Sequence, residues 1–187
     1  MNDVVLGVSH ITDWQGYDHM LYLLALVARF DLRHVGRAAL LATAFTVGHS
    51  LTLVIASLDL FRLSSAWVEF LIPVTILGTA LWGLFHGEGN PKARKKTYAL
   101  AALFGLIHGM GFSSFFRISR DETVELVAGL FRFNLGVEIG QLIIVLVLLA
   151  CGSVLRVFNV SEREQQVFVC GGATFLSLVM ALERWPF

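Results

Sequence analysis

AALLATAFTVGHSLTLVIASL, Ala38 to Leu58, decides the fold: it runs its whole length without an Asp, Glu, Lys or Arg. As a helix rising about 1.5 Å per residue, it crosses about 30 Å of hydrocarbon. Yet His49 sits inside it. The pattern recurs along the chain. His108 interrupts the apolar run Thr97 to Phe116, and Glu138 the run Leu130 to Leu155. Asp18 and His19 open the run Trp14 to Phe30, with His10 just ahead. Ionisable groups at membrane depth cost free energy, and their default reading is a functional site.

Composition agrees with a membrane protein. Apolar residues make up 56% of the chain and charged residues 15%, with a mean hydropathy of +0.73. Soluble domains carry about 25% charged residues, so this chain has too few to solvate a globule. Its net charge of +0 excludes a nucleic-acid partner, which needs a basic excess. Cys151 and Cys170 lie apart in apolar stretches and read as small buried hydrophobes.

Two further runs, Ala66 to Phe85 and Gln165 to Leu182, complete a set of six. Backbone polar groups in lipid must be satisfied internally, so helices are the spanning element, and the alternation of a barrel is absent. The expected fold is all-α, a polytopic transmembrane bundle of about six helices in a single domain over residues 1–187. Short connections make neighbouring helices antiparallel. Met1 to Val8 lacks a basic region and an apolar stretch of useful length, so the first helix is expected to be its own insertion signal.

Basic residues set the orientation. One side carries Arg29, Arg33, Arg37, Lys92, Arg94, Lys95, Lys96, Arg156 and Arg163, nine in all. The other carries four: Arg62, Arg117, Arg120 and Arg184. Arg132 is read as snorkelling near the outer end of its helix. Positive residues stay cytoplasmic, which puts both termini outside. His10, Asp18, His19, His49, His108 and Glu138 then fall in the outer half of the bilayer, with Glu69 near the outer rim.

Local spacing adds supporting groups. Thr46, His49 and Ser50 share a helix face, and Asn134, Glu138 and Gln141 form a polar stripe. Gly105 and Gly109 flank His108, and Gly136 and Gly140 flank Glu138, spacings that let helices approach closely. Imidazole with carboxylate suits a divalent ion such as Ni, Co or Zn. Weighed singly, His49 or His108 could be a packing residue, Asn134 and Gln141 read first as interhelical hydrogen bonders, and Glu69 as solvated. Of the two paired groups in the opening, Asp18 is expected to face His49, with His19 orienting a ligand or guarding the mouth.

The pieces Gly7-Val-Ser-His10, Gly16-Tyr-Asp18-His19, Phe45-Thr-Val-Gly-His49-Ser50, Val68-Glu69, Phe104-Gly-Leu-Ile-His108-Gly-Met-Gly111-Phe112 and Phe133-Asn-Leu-Gly-Val-Glu138-Ile-Gly-Gln141 occur in that order. Together they resemble the HupE/UreJ family of bacterial membrane proteins. The opening differs in carrying Ile11, not proline, after His10. The resemblance implies a nickel or cobalt permease of the bacterial inner (cytoplasmic) membrane, with His10, Asp18, His19, His49, His108 and Glu138 on the family's polar motif positions. Its partners would be the metal ion and the lipid bilayer, with self-association or a partner protein left open. The residues also allow a second class, an intramembrane hydrolase in which three protein ligands leave one position of a zinc-like ion open for water. Glu138 would be its base, with Ser50 or Asn134 steadying an oxyanion.

Overall fold

The computed structural model describes residues 2–14, 16–60, 63–86, 91–111 and 123–187, without the side chains of 91–93 and 123–124. Arg62, Phe112, Arg117 and Arg120 therefore lie outside the described residues, as does the 112–116 end of the fourth expected run. Within them the chain forms seven α-helices, one turn of 3-10 helix and no strand. These are α1 (Asp3–Thr12), α2 (Asp18–Val27), α3 (Val35–Ser57), α4 (Ser65–Phe85), α5 (Pro91–Met110), α6 (Thr123–Val157) and α7 (Glu162–Glu183). Four of them lie in stretches long and apolar enough to cross a membrane: α3, α4, α6 and α7. The 20 residues of α5 span about 30 Å. The chain is a multi-pass membrane protein built as one helical bundle.

The first expected span, Trp14 to Phe30, departs from a single helix. Its helical part, α2, is 10 residues and covers only about 15 Å. A separate helix precedes it. Asn2 caps α1, its side chain accepting the Val4 amide at 3.0 Å. The helix ends at Thr12, where Asp13 turns to extended backbone. The expected first span is thus replaced by two short helices, with His10 near the end of α1 and Asp18 at the start of α2.

Glycines set which helices touch. A methyl at Gly105 would overlap the Phe45 carbonyl, one at Gly109 the His49 carbonyl, and one at Gly48 the Ala102 carbonyl. Those contacts advance together along both chains, so α3 and α5 run parallel with their backbones in contact. Gly7 and Gly136 do the same for α1 and α6: methyls there would overlap the Phe133 and Val4 carbonyls. Asp3 and Arg132 lock that pair with an ion pair of 2.9 Å. Arg132 therefore has a partner in the protein as well as a path to the headgroups.

Arginines gather at one end of the bundle. Asp31, 2% exposed, accepts Arg33 at 2.6 Å and His34 at 2.9 Å, and its charge lies 2.8 Å from Arg156 Nε. Hydrogen bonds from Arg33 hold its carboxyl well below the usual carboxylate range, against burial, which would raise it. This stabilisation persists at neutral pH and is lost only as pH falls below that range. Arg163 donates to the Leu84 carbonyl at 2.7 Å, and Arg29 reaches the Gly83 and His86 carbonyls. Cations at the C-terminal carbonyls of α4 complement its helix dipole. At the opposite end Arg184 lies 3.6 Å from Asp18, and Trp67, Phe70, Trp185 and Phe187 form an aromatic cluster.

The α3–α5 contact makes a discriminating pair of substitutions. Gly105→Ala forces backbone apart and should destabilise by about 1–3 kcal/mol. Gly171→Ala on α7 meets nothing within 4 Å and should be neutral or stabilising by about 0.5–1 kcal/mol. Thermal unfolding of the two variants in detergent checks this; equal midpoints would contradict the close packing.

Candidate metal centre

Four helices deliver one imidazole each to a common point. His10 comes from the last turn of α1, His19 from the first turn of α2, His49 from α3 and His108 from α5. Ring centroids are 4.9 Å apart for His10 and His19, 5.9 Å for His19 and His49, and 5.0 Å for His19 and His108. His10, His19 and His49 each offer a ring nitrogen within 4.8 Å of the others. Three nitrogens at about 2.1 Å from one ion lie about 3.0–3.4 Å apart, so small side-chain rotations close the set. The rings of Tyr22, Phe45 and Phe133 wall the point off.

Hydrogen bonds fix which nitrogens are available. Asp18 accepts both the backbone amide of His19, at 2.9 Å, and its Nδ1, at 3.0 Å. Nδ1 therefore carries the proton and Nε2 the lone pair, the carboxylate–histidine arrangement that orients a ligand and raises its basicity. Being at the start of α2, the carboxylate also gains from the helix dipole. Thr75 donates its hydroxyl proton to the Ile72 carbonyl at 2.7 Å, so at 2.9 Å from His108 Nε2 it acts as acceptor. His108 thus keeps its proton on Nε2 and its lone pair on Nδ1.

His49 is the informative residue. It is 0% exposed, and neither ring nitrogen has a hydrogen-bond partner among the described residues. Asn134 approaches without completing a bond, its own amide donating to the Leu130 carbonyl at 2.9 Å. An unsatisfied buried polar group costs about 1–3 kcal/mol, which a bound cation would recover. The free nitrogens of His19 and His108 are likewise buried without partners among the described residues.

The other expected site residues fall elsewhere. His19, not Asp18, faces His49, because the first-turn geometry of α2 commits the Asp18 carboxylate to the His19 amide and ring. Glu138 is not among the groups within 4.8 Å; its Oε1 accepts the Thr43 hydroxyl at 2.6 Å. Thr43 lies about 9 Å along α3 from His49. Gln141 accepts the Thr46 hydroxyl at 3.3 Å, making a second rung between α3 and α6. Ser50 is half-buried beside His49, and Glu69 is exposed.

Sequence reasoning missed Thr75 and Tyr22. The signal was present: Thr75, Thr79, Trp82 and His86 recur at spacings of four, three and four, one face of a helix. Threonines are tolerated in apolar spans, so the stripe hides in a stretch read only for its carboxylate, Glu69.

The sequence matches the family described as HupE / UreJ protein over residues 1–185. No curated protein matches the chain, and no solved structure does. The chain belongs to the HupE/UreJ family, and with its apolar helices it is a membrane protein connected with metal transport.

The site's geometry ranks three substitutions. His49→Ala should abolish high-affinity nickel binding, and Asp18→Asn, by releasing the His19 ring, should weaken it about 10–100-fold. Glu69→Gln should leave it unchanged. Isothermal titration of the purified variants with nickel measures the order; full affinity in His49→Ala would return the histidines to a packing role.

Proposed function

We propose that this member of the HupE/UreJ family is a permease for a divalent first-row transition ion, nickel or cobalt, in the bacterial inner membrane. The observation that carries the reading is the buried trio His10, His19 and His49, in which His49 has both nitrogens unsatisfied among the described residues. Imidazole selects Ni, Co and Zn over Mg and Ca, which require oxygen ligands. His108, its ring centroid 5.0 Å from that of His19, stands beside the trio but outside it. Neutral ligands with a single nearby carboxylate, Asp18, favour binding loose enough for release, as conduction requires.

Charge supports an orientation. Arg29, Arg33, Arg156 and Arg163 mark one end of the bundle, and the nine-to-four distribution of basic residues makes that end cytoplasmic. The histidine point lies toward the other end: His49 is about 21 Å along α3 from Val35, and His108 two residues from the end of α5. The ion enters from outside at His10 and is held by His19 and His49. Glu138, hydrogen-bonded to Thr43, stands apart from the capture site.

A zinc-type hydrolase needs a general base within reach of a metal-bound water. Its candidate, Glu138, is engaged by Thr43 and absent from the close group of donors, which weighs against that class.

Nickel uptake into proteoliposomes, with bound nickel measured in parallel, tests the reading. Wild-type protein should give flux, His49→Ala should lose both flux and binding, and Glu138→Gln should keep capture. Stoichiometric bound metal without flux would overturn the permease in favour of the hydrolase.

A further inference from the structure

The permease reading requires an inward path from the histidines, and two tracks leave them. One runs between α3 and α6 through Thr46, Gln141, Thr43 and Glu138. The other begins where Thr75 holds His108 and continues down α4. Thr79 donates to the Thr75 carbonyl at 2.9 Å, and one turn further the Trp82 indole donates to Thr97 of α5 at 3.1 Å. His86 stacks on Trp82 with ring centroids 3.7 Å apart.

Open space follows the second track. A narrow cavity, with room for about one water, is lined by Tyr22, Thr79, Trp82, Thr97 and Phe104, among others. It shares Thr79, Trp82 and Thr97 with a wider, open-mouthed crevice that reaches Arg29, His86 and Arg94 at the arginine-rich end. Tyr22 stands between this space and the site. Its ring centroid is 5.4 Å from that of His108, it is 0% exposed, and its hydroxyl lies beside the Thr79 hydroxyl without completing a well-formed hydrogen bond. A buried phenol and a threonine hydroxyl facing one small cavity are explained if a water visits it.

We propose that the inward route from the histidine site is this seam between α2, α4 and α5, with Tyr22 as its inner gate and the crevice at Thr79, Trp82, Thr97 and His86 as a water-filled vestibule. The inference rests on the permease reading for its purpose. The hydroxyls of Tyr22, Thr79 and Thr97 replace part of the ion's hydration shell after it leaves His108. Arg29 and Arg94 stand at the mouth, where their positive potential keeps the vestibule from storing a cation and makes passage out of it the slow step. The vestibule is a passage, not a second store.

Cysteine accessibility tests the route without depending on flux. In a Cys151→Ser, Cys170→Ala background, Thr79→Cys and Thr97→Cys should react with a membrane-impermeant methanethiosulfonate reagent applied to inside-out vesicles. Neither should react in right-side-out vesicles. Thr43→Cys, on the competing track, should be inert from both sides. In parallel, Thr79→Val should keep nickel binding while slowing nickel uptake about tenfold. An inert Thr79→Cys, or a reactive Thr43→Cys with normal uptake in Thr79→Val, would overturn the route and leave the permease standing. Reactive Thr79→Cys in a wild-type background of zero nickel flux would overturn the permease instead, and the vestibule's role as an exit with it.

Discussion

Backbone contact between α3 and α5 is the constraint on which the site depends. Gly48, Gly105 and Gly109 carry no side chain into the seam, so the carbonyls of Phe45 and His49 lie where methyls would otherwise sit. Inside lipid there is little hydrophobic gain in bringing helices together, and such close approach, with its dispersion and Cα–H···O contacts, supplies the attraction. Its consequence is chemical. The glycines flank His108 and adjoin His49, so the seam that joins the helices also presents both imidazoles beside one point. Gly7 and Gly136 set α1 on α6 by the same means and bring His10 to that point from the other side.

The break in the first crossing completes the arrangement. A continuous helix from residue 3 to 27 would carry His10 and His19 nine residues apart, about 13 Å along one axis. Ending α1 at Thr12 and restarting at Asp18 folds that distance away and leaves the two rings 4.9 Å apart. Interrupted helices at membrane depth are tolerated where they line a binding site, and their ends offer polar groups that an intact helix uses up. Here the restart gives Asp18 a helix N-terminus, and Asp18 in turn sets the protonation of His19.

Much of this was legible in the sequence, and the limits have physical causes. His49 and His108 stood out because nothing in an apolar run excuses a buried imidazole, and the glycines flanking His108 predicted close helix contact. The choice between Asp18 and His19 was not legible. Adjacent residues on a helix differ by about 100°, so spacing alone cannot say which faces inward. The helix start decided it. For Glu138 the depth along α6 was inferred, but the reach of its side chain to Thr43 was not. Asp3 and Arg132, 129 residues apart in sequence, meet only through the α1–α6 packing. The stripe Thr75, Thr79, Trp82 and His86 was legible by period, but hydroxyls satisfied by their own helix carry no signal in a hydropathy reading.

The central claim is that several imidazoles from different helices hold one ion. X-ray absorption spectroscopy at the nickel edge of the loaded, purified protein tests it most directly. The account predicts at least three imidazole nitrogens at about 2.1 Å, with the outer-shell scattering of histidine rings, and loss of one ring in His49→Ala. A first shell of oxygen alone, without imidazole scattering, would contradict it.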